Sequence, residues 1–359
     1  MAEPLKNVYT REFVESIGKH ISEQHSRFDC SALVNSVFTN DWDALELKAR
    51  MTRICSSIHA TLKLPYAEAI AVLNNVVPHF GSYEAMLFPE FIQAYGLDDW
   101  ETSLPALAHF TQYSSSEFAV RPYIEQDPER MMAQMLTWAD SDNYHVRRLA
   151  SEGCRPRLPW APALPAFKQD PGAIFPILEK LKCDDEDYVR RSVANNLNDI
   201  SKDHPDLVLK WCQDNIGQHK HTDWIIKHAC RGLLKESHPI ALALFGYQAP
   251  HGLSVASFSV NKTEISEGDH LQVSASIAAP EKLGKLRVEY IVHYIKANGS
   301  ASPKVFIFSE GEFAEARKLF TRRHSFERMT TRVHYPGEHK IELRVNGWVL
   351  AETSVLVTG

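Results

Sequence analysis

The feature that most constrains this chain is a segment that occurs twice. Residues 141–153 read SDNYHVRRLASEG, and residues 184–196 read DDEDYVRRSVANN. In each copy an acidic turn precedes an aromatic residue or His, then Val-Arg-Arg, then residues that favour a helix. The two Val-Arg-Arg triplets lie 43 residues apart, within the range of about 40–47 residues that is typical of helical repeats. Stacked repeats of this kind form a solenoid whose inner face binds extended ligands.

Two further segments extend the repetition. Residues 223–234 (DWIIKHACRGLL) form a degenerate third copy, and residues 117–124 (EFAVRPYI) form a weaker fourth one. The following turns also correspond, because SKDHPDLVL at 201–209 matches KESHPIALAL at 235–244. Since helix and turn both repeat, residues 1–249 are predicted to form an α-helical HEAT-like repeat solenoid.

A second domain is predicted from residue 250 onward, where the hydrophobic period changes from 3.6 to 2. Asn346-Gly347 is a strong signal for a β-hairpin turn. The segments with strand-like patterns are 271–279, 286–296, 305–308 and 339–357. About 110 residues of short strands without cysteine predict an immunoglobulin-like β-sandwich over residues 250–359. The fold class is therefore a multidomain one, with an α-solenoid followed by a β-sandwich.

The sequence composition indicates the cellular compartment of the protein and whether a metal site is expected. No apolar run reaches the roughly 18 residues that a membrane span needs, and the first residues lack the pattern of a secretory signal. None of the six cysteines forms a CxxC pair, so neither a disulfide framework nor a zinc site is expected. We therefore expect a cytoplasmic protein that holds no metal and needs no cofactor.

The formal net charge of −6 conceals an asymmetry. Residues 1–249 carry 25 Lys and Arg against 33 Asp and Glu, whereas residues 250–359 carry 14 against 12. An acidic total argues against loose, nonspecific binding of nucleic acid. It leaves room for a local basic surface, because only charges within about 10 Å of a ligand act strongly on it.

Acidic and basic residues share one face of the repeated helices. Arg148 and Glu152 are four residues apart on a helix, and Arg191, Asn195 and Asp199 share the corresponding face of the next repeat. Arg148 and Arg191 are therefore candidates for contacts with the substrate or DNA. Stacking would bring Glu152 and Asp199 onto the same concave wall, where carboxylates stabilise a cationic transition state or position a water molecule. The alternative is a solvated salt-bridge face that contributes a few tenths of a kcal/mol.

Glu117 is a candidate for a third acidic group at this groove. It lies in SSSEFAV, where a helix is predicted to begin. A carboxylate near a helix N-terminus is favoured by the helix dipole, so a capping role is the alternative interpretation.

A proline-rich segment interrupts the repeats. Residues 154–172 contain five prolines, which favour an extended polyproline-like path and predict that the preceding helix ends near Gly153. The exposed loop would carry Arg155, Arg157 and Trp160. Trp160 could stack on a base or sugar, which is typically worth about 1–3 kcal/mol, and the flanking arginines could bind DNA. Alternatively, the tryptophan folds back to cover the solenoid edge.

The second domain carries a basic stretch at residues 317–332. It contains six Lys and Arg residues, among them Arg322 and Arg323, against one glutamate. Interleaved aromatic and hydroxyl side chains suit a surface that contacts phosphates. A charged strand edge that blocks aggregation would have the same composition.

Two segments resemble a known family. YHVRRLASEGCRPRLPW and YVRRSVANNLNDISKDHP are similar to the HEAT-like-repeat DNA glycosylases of the AlkC and AlkD superfamily. The proline-rich loop with Trp160 and the immunoglobulin-like tail resemble the AlkC type. The resemblance implies a monofunctional glycosylase that removes the cationic bases 3-methyladenine and 3-methylcytosine from double-stranded DNA, held in an open groove.

The resemblance also implies roles for individual residues. Glu152 falls on the family's catalytic glutamate, Asp199 on its catalytic aspartate and Trp160 on its active-site tryptophan. Glu117 and Arg148 fall on further active-site positions. A single lesion is asymmetric, so we expect a monomer. The alternatives are a non-catalytic repeat scaffold that binds peptide or nucleic acid, and an inactive damage sensor.

Overall fold

The chain is helical up to residue 244 and β-stranded from residue 254 in the computed structural model, which describes residues 4–328 and 333–358. The helices are α1 (Arg11–Gln24), α2 (Cys30–Val37), α3 (Leu47–Leu62), α4 (Tyr66–Val76), α5 (Leu87–Tyr95), α6 (Trp100–Phe110), α7 (Arg121–Gln126), α8 (Pro128–Trp138), α9 (Tyr144–Gly153), α10 (Pro165–Gln169), α11 (Phe175–Leu181), α12 (Asp187–Ile200), α13 (Pro205–Asn215), α14 (Lys220–Ala229), α15 (Arg231–Lys235) and α16 (Pro239–Leu244). Short 3₁₀ turns occur at Leu5–Val8, Trp42–Ala44, Val77–His79, Glu84–Met86 and Gly172–Ile174. No helix within the described ranges is long and apolar enough to span a bilayer.

The helices of the repeated segments pack side by side, with α12 between α9 and α14. Ser151 of α9 and Ser192 of α12 share a hydrogen bond of 2.7 Å between their hydroxyls. Asn196 of α12 donates to the Ser151 carbonyl at 2.8 Å. On the other side of α12, Asn198 donates to the Ala229 carbonyl at 2.9 Å. The predicted stacking of the three copies is therefore confirmed.

The first arginine of each Val-Arg-Arg triplet has the same local role. Arg147 Nη1 donates to the carbonyls five and six residues earlier, at 3.0 and 2.9 Å. Arg190 Nη1 donates to the carbonyls at the same two offsets, at 2.6 and 2.9 Å. Each guanidinium thus binds the acidic turn that precedes its own helix, which explains why turn and triplet repeat together.

The turns that follow also have matching helix starts. α13 begins at Pro205 and α16 at Pro239, and each proline follows a histidine. Proline suits the first helical position because the missing N–H would have no partner inside the helix there. The predicted correspondence between segments 201–209 and 235–244 is confirmed.

The chain divides into two compact units. The first contains the residues up to Val208 together with Asp214–Ala229, and the second contains Leu209–Gln213 together with the residues from Cys230 onward. The predicted boundary between residues 249 and 250 falls in the segment that joins α16 to the first strand. The division into domains at residues 1–249 and 250–359 stays a prediction.

The second unit contains two β-sheets. Its strands are β1 (Ser254–Val260), β2 (Glu264–Ser266), β3 (His270–Ala278), β4 (Gly284–Ile295), β5 (Ala301–Phe313), β6 (Arg317–Ser325), β7 (Gly337–Val345) and β8 (Trp348–Thr358). One sheet has the order β1-β3-β6 and the other β2-β8-β7-β4-β5. Val273 of β3 and Tyr290 of β4 lie in one buried cluster, so the two sheets share a core as in a sandwich.

The hairpin turn at Asn346-Gly347 is confirmed. Both residues have positive φ, 48° and 90°, as a type I′ turn requires. The turn places Val345 opposite Trp348 and sets the register of β7 and β8.

The basic stretch forms an edge strand. β6 pairs with β3 and lies at the end of the three-stranded sheet. Arg322 and Arg323 are exposed on it, so the edge-protection interpretation fits this position. Residues 329–332 of the predicted basic stretch lie outside the described residues.

Candidate functional site

A cavity of about 480 Å³ in the first unit brings half of the ten predicted site residues together. Its wall contains Glu117, Arg148, Glu152, Arg155 and Trp160. These residues come from the turn before α7, from α9 and from the proline-rich loop. The site is therefore built from three separate segments, of which α9 supplies the central carboxylate.

Glu152 lies near the C-terminus of α9 and is only 5% exposed. Arg155 Nη1 donates to Glu152 Oε1 at 2.6 Å, and Arg148 Nη2 lies 3.3 Å from the same oxygen. No described residue forms a hydrogen bond to Oε2. Two guanidinium groups therefore fix the orientation of the carboxylate through one oxygen and leave the other available to a ligand in the cavity.

Arg148 connects Glu152 to Glu117. Its Nη1 donates to Glu117 Oε2 and, at 2.6 Å, to Ser115 Oγ. The guanidinium also lies 4.7 Å from the centre of the Tyr188 ring. Burial lowers the pKa of Arg148, but Glu152 and Glu117 outweigh it and the pKa is raised. Arg148 is thus a permanent cation between two carboxylates.

The predicted start of a helix at Glu117 is wrong. Residues 117–120 form a turn, and α7 begins at Arg121 with Pro122 in its first turn. Proline suits the first turn of a helix, and so it sets the start four residues later. The Glu117 carboxylate therefore contacts the side chains of Ser115 and Arg148 and does not cap a helix.

Asp199 lies behind Arg155. Arg155 donates from Nε to Asp199 Oδ2 at 2.8 Å, and Nη2 lies 2.8 Å from the same oxygen. Lys202 Nζ donates to Oδ1 at 2.9 Å. Asp199 is 3% exposed and does not line the cavity. The two predicted catalytic acids, Glu152 and Asp199, are therefore joined through one guanidinium, and only Glu152 faces the cavity.

These contacts form an alternating series of carboxylates and guanidinium groups. It runs from Glu117 through Arg148, Glu152 and Arg155 to Asp199. All five side chains are largely buried. The ion pairs predicted on this face exist, but they are not solvated. Buried ion pairs of this kind are weak contributors to stability, so a functional reason for them is favoured.

The proline-rich segment does not follow the predicted extended path. Residues 154–160 form turns, and α10 follows at Pro165. Arg121 is the reason, because its buried guanidinium donates to the carbonyls of Gly153, Arg155 and Pro162 at 3.1, 2.9 and 2.6 Å. The predicted exposure of Arg155 is wrong for the same reason, since the folded loop buries it.

Trp160 is 63% exposed at the cavity wall. The interpretation that it folds back onto the solenoid edge is therefore wrong. Its φ of +66° lies in the left-handed region, which costs a non-glycine residue about 1–2 kcal/mol. Lys48 Nζ donates to the Trp160 carbonyl at 2.6 Å.

The other predicted DNA-binding arginines lie outside the cavity. Arg157 forms two hydrogen bonds with Asp203, at 2.6 and 3.1 Å. This pairing raises the pKa of Arg157 and lowers that of Asp203. Arg191 has a side chain that is 63% exposed and pairs with Asp187 at 2.6 Å. Arg322 and Arg323 belong to the second unit.

Sequence reasoning missed several aromatic residues of the wall. They are Tyr83, Tyr113, Phe118, His145 and Tyr188. A signal existed for the last two, because each directly precedes the valine of a Val-Arg-Arg triplet. Burial, together with the charge of the Arg148 guanidinium, lowers the pKa of His145. Phe118 lies in the weak fourth copy of the repeat, at a position without a counterpart in the triplet, and Tyr83 and Tyr113 come from connecting segments without a motif.

A second cavity of about 220 Å³ also has Trp160 in its wall. It shares Tyr83, Met86, Phe118 and Trp160 with the first cavity. Burial raises the pKa of Glu90 in its wall. Within residues 4–328 and 333–358, no group of three or more His, Cys, Asp and Glu side chains is arranged to hold a metal ion.

Two family models match the chain. Residues 108–233 match the family described as DNA alkylation repair enzyme. Residues 254–359 match the C-terminal Ig-like domain of the YhaZ family. The first match contains the cavity residues from Glu117 to Tyr188, and the second covers the β-sandwich.

Two relatives match almost the whole chain. The uncharacterized protein YhaZ of Bacillus subtilis (strain 168) is 44% identical over 346 residues, which are 96% of this chain and 97% of that protein. The alkylpurine DNA glycosylase AlkC of Pseudomonas fluorescens, solved bound to DNA containing an abasic site analog, is 35% identical. That match covers 99% of this chain and 100% of AlkC, with a TM-score of 0.95. The chain therefore belongs to the AlkC family of DNA alkylation repair proteins.

Proposed function

We propose that this protein is a monofunctional DNA glycosylase that hydrolyses the N-glycosidic bond of cationic alkylated bases, such as 3-methyladenine and 3-methylcytosine. The observation that carries the proposal is Glu152, a buried carboxylate with one oxygen held by two guanidinium groups and the other without a hydrogen bond from any described residue. The similarity to an AlkC that is an alkylpurine DNA glycosylase supports it. No cofactor is needed for this hydrolysis.

The reaction needs little acid catalysis. An N3-alkylated base already carries a positive charge, so the bond from C1′ to the base nitrogen breaks with its electron pair leaving on the base, which becomes neutral. Positive charge develops on the deoxyribose, and a water oxygen bonds to C1′. The water proton passes to a carboxylate and then to solvent. The products are the free alkylated base and an abasic site with a hydroxyl group at C1′.

The step requires that positive charge on the sugar is stabilised and that a water molecule is positioned at C1′, and Glu152 fits both requirements. Its Oε2 would lie beside the oxocarbenium-like sugar and accept a hydrogen bond from the attacking water. Arg148 and Arg155 hold the carboxylate in place through Oε1, so the charge is oriented before the substrate arrives. Glu117 and Asp199 assist by fixing these two arginines.

Trp160 would contact the damaged nucleotide. An exposed indole beside a carboxylate suits a cationic ligand, because the ring face attracts positive charge and stacks on sugars and bases. The wall also carries Tyr188 and Tyr113. A damaged base with a positive charge would therefore be favoured over its neutral counterpart.

Four arginines that are exposed or partly exposed would bind the DNA backbone. Arg157, Arg191, Arg322 and Arg323 lie outside the cavity, and we assign them to phosphate contacts. Such contacts position the duplex without reading its sequence. A single lesion needs one copy of the site, so we propose that the protein acts as a monomer on double-stranded DNA.

The test is base release from a duplex methylated on its bases. Wild-type protein is expected to release 3-methyladenine and 3-methylcytosine, detected by mass spectrometry. Glu152→Gln should retain binding to a duplex with an abasic-site analogue but lose release. Glu101→Gln is the matched control, because this side chain is 90% exposed and its partner is Arg130 at the surface.

Two outcomes would replace the proposal. If the wild type releases no alkylated base yet binds the methylated duplex more tightly than the unmodified one, the protein is a damage sensor. If it neither releases a base nor distinguishes the two duplexes, the scaffold alternative remains.

A further inference from the structure

Lys48 binds the backbone of Trp160 from a distant part of the first unit. It lies on α3, 112 residues before the tryptophan, and its Nζ donates to the Trp160 carbonyl at 2.6 Å. The same ammonium lies 5.5 Å from the centre of the Phe118 ring. Lys48 lines the second cavity and not the first. Neither the sequence motifs nor the proposed chemistry uses it.

The bond acts on an unfavourable backbone conformation. Trp160 has a φ of +66°, and such residues persist where their surroundings hold them. The neighbouring turn closes through Ala161 N to Leu158 O at 3.3 Å and Leu164 N to Pro156 O at 3.0 Å. Neither of these bonds uses the Trp160 carbonyl. Among the described residues, Lys48 is the one that donates a hydrogen bond to the Trp160 carbonyl.

Two cations thus hold the two sides of the loop tip. Arg121 Nη2 donates to the Pro162 carbonyl at 2.6 Å, but Arg121 also binds the carbonyl that ends α9 and is buried. Replacing Arg121 would therefore disturb the fold. Lys48 is exposed and makes one bond to the loop, so its contribution is separable.

We propose that Lys48 is a positioning residue that holds the Trp160 indole at the mouth of the carboxylate cavity. A hydrogen bond to the Trp160 carbonyl fixes the peptide plane between residues 160 and 161. Without it, the backbone at Trp160 is free to rotate about its N–Cα bond to negative φ, which moves the indole away from Glu152. The catalytic consequence rests on the proposed glycosylase function, whereas the hold on the loop does not.

The loop itself gives the first readout. Trypsin is expected to cut the chain after Arg157 about 10-fold faster in Lys48→Met than in the wild type, because cleavage follows local opening. Lys48→Arg keeps a donor and should restore part of the protection. Lys19→Met is the matched control, because Lys19 is an exposed lysine whose contact is Glu23 at 4.0 Å. An unchanged cleavage rate in Lys48→Met overturns the proposal, whatever the activity.

Base release gives the second readout. Lys48→Met should lower the single-turnover rate by about 10- to 100-fold, the size expected for a misplaced active-site group, with binding of undamaged duplex within about 2-fold. The loss should disappear when Lys48→Met is added to Trp160→Ala. An equal loss in both backgrounds, with weaker binding of undamaged duplex, would make Lys48 a phosphate contact and overturn the proposal. If the wild type releases no base, the glycosylase proposal fails. The trypsin result still decides whether Lys48 holds the loop that carries Trp160.

Discussion

The two best copies of the repeat share a scaffold but not a site. Arg147 and Arg190 bind the same two carbonyls of their respective turns. The next arginine differs, because Arg148 is buried between carboxylates while Arg191 is exposed and pairs with Asp187. In this protein, what repeats maintains the stack, and what departs from the repeat forms the cavity.

The departures are concentrated within a few positions. Glu152 of the first copy corresponds to Asn195 of the second, and Trp160 corresponds to Asp203, at the same spacing of 43 residues. Asp203 is the partner of Arg157, which lies in the loop that carries Trp160. The second copy therefore supports the loop of the first instead of forming a second site.

The second arginine of each triplet gives the largest predicted difference between the copies. Arg148→Met removes the guanidinium that Glu117 and Glu152 share and leaves Glu152 paired with Arg155. Losing one partner of a buried pair costs about 2–5 kcal/mol. We expect base release at saturating enzyme to fall about 100-fold. Arg191→Met should leave this rate within about 2-fold and reduce the salt slope of DNA binding by about one.

Single-turnover rates of the two variants measure this difference. Rates are compared at equal amounts of folded protein, checked by circular dichroism, so that lost stability is not counted as lost catalysis. Equal rates in the two variants would contradict the distinction between a buried site arginine and an exposed one.

Replacing the first arginine of each triplet should destabilise the fold by a similar amount in both copies, because the two arginines have the same role in the scaffold. Arg147→Met and Arg190→Met each leave two turn carbonyls without their donor, so each should lower the free energy of unfolding by about 1–2 kcal/mol. The loss should be somewhat greater for Arg147, because it also forms two hydrogen bonds with the carboxylate of Asp184. Urea titration measures both. A large loss in only one copy would break the equivalence.

The smallest predicted effect is on the free energy of unfolding and comes from the ion pair between Arg157 and Asp203, which joins the second copy to the loop of the first. Arg157 lowers the pKa of Asp203 below its ordinary value of 3.8. The unfolded chain then binds more protons than the folded one between the two pKa values, so stability rises with pH across that window. The stabilisation is present above about pH 5 and is lost as the pH falls below 3.8.

Asp203→Asn tests this dependence. Because Arg157 and Asp203 are partly exposed, we expect the variant to lose less than about 1 kcal/mol at pH 6. The difference from the wild type should shrink at pH 3, as measured by urea titration at both pH values. A difference that stays constant with pH would show that the carboxylate charge does not matter.

Much of this arrangement could be predicted from local sequence. The end of α9 at Gly153 follows from the prolines beyond it, and the β7–β8 turn follows from Asn346-Gly347. The acidic residues at the cavity were found because they stand in or beside repeated motifs. These features depend on backbone preferences within a few residues, and such preferences are readable in the sequence.

The remainder depends on contacts between distant segments. Arg121 folds the proline-rich loop and buries Arg155 from 34 residues away, and Lys48 reaches Trp160 from 112 residues away. No local pattern marks Arg121 or Lys48 as partners of that loop. Tyr83 and Tyr113 enter the wall in the same way, because stacking of helices and not a motif brings them there.

The central claim is that one oxygen of Glu152 acts on the departing nucleotide. The most direct test is the single-turnover rate of Glu152→Gln on a duplex with one 3-methyladenine, together with its affinity for an abasic-site duplex. The account predicts that the rate falls by about 10²–10³-fold, as for loss of one preorganised electrostatic group, while affinity changes by less than about 3-fold. A variant that releases the base at the wild-type rate would contradict it.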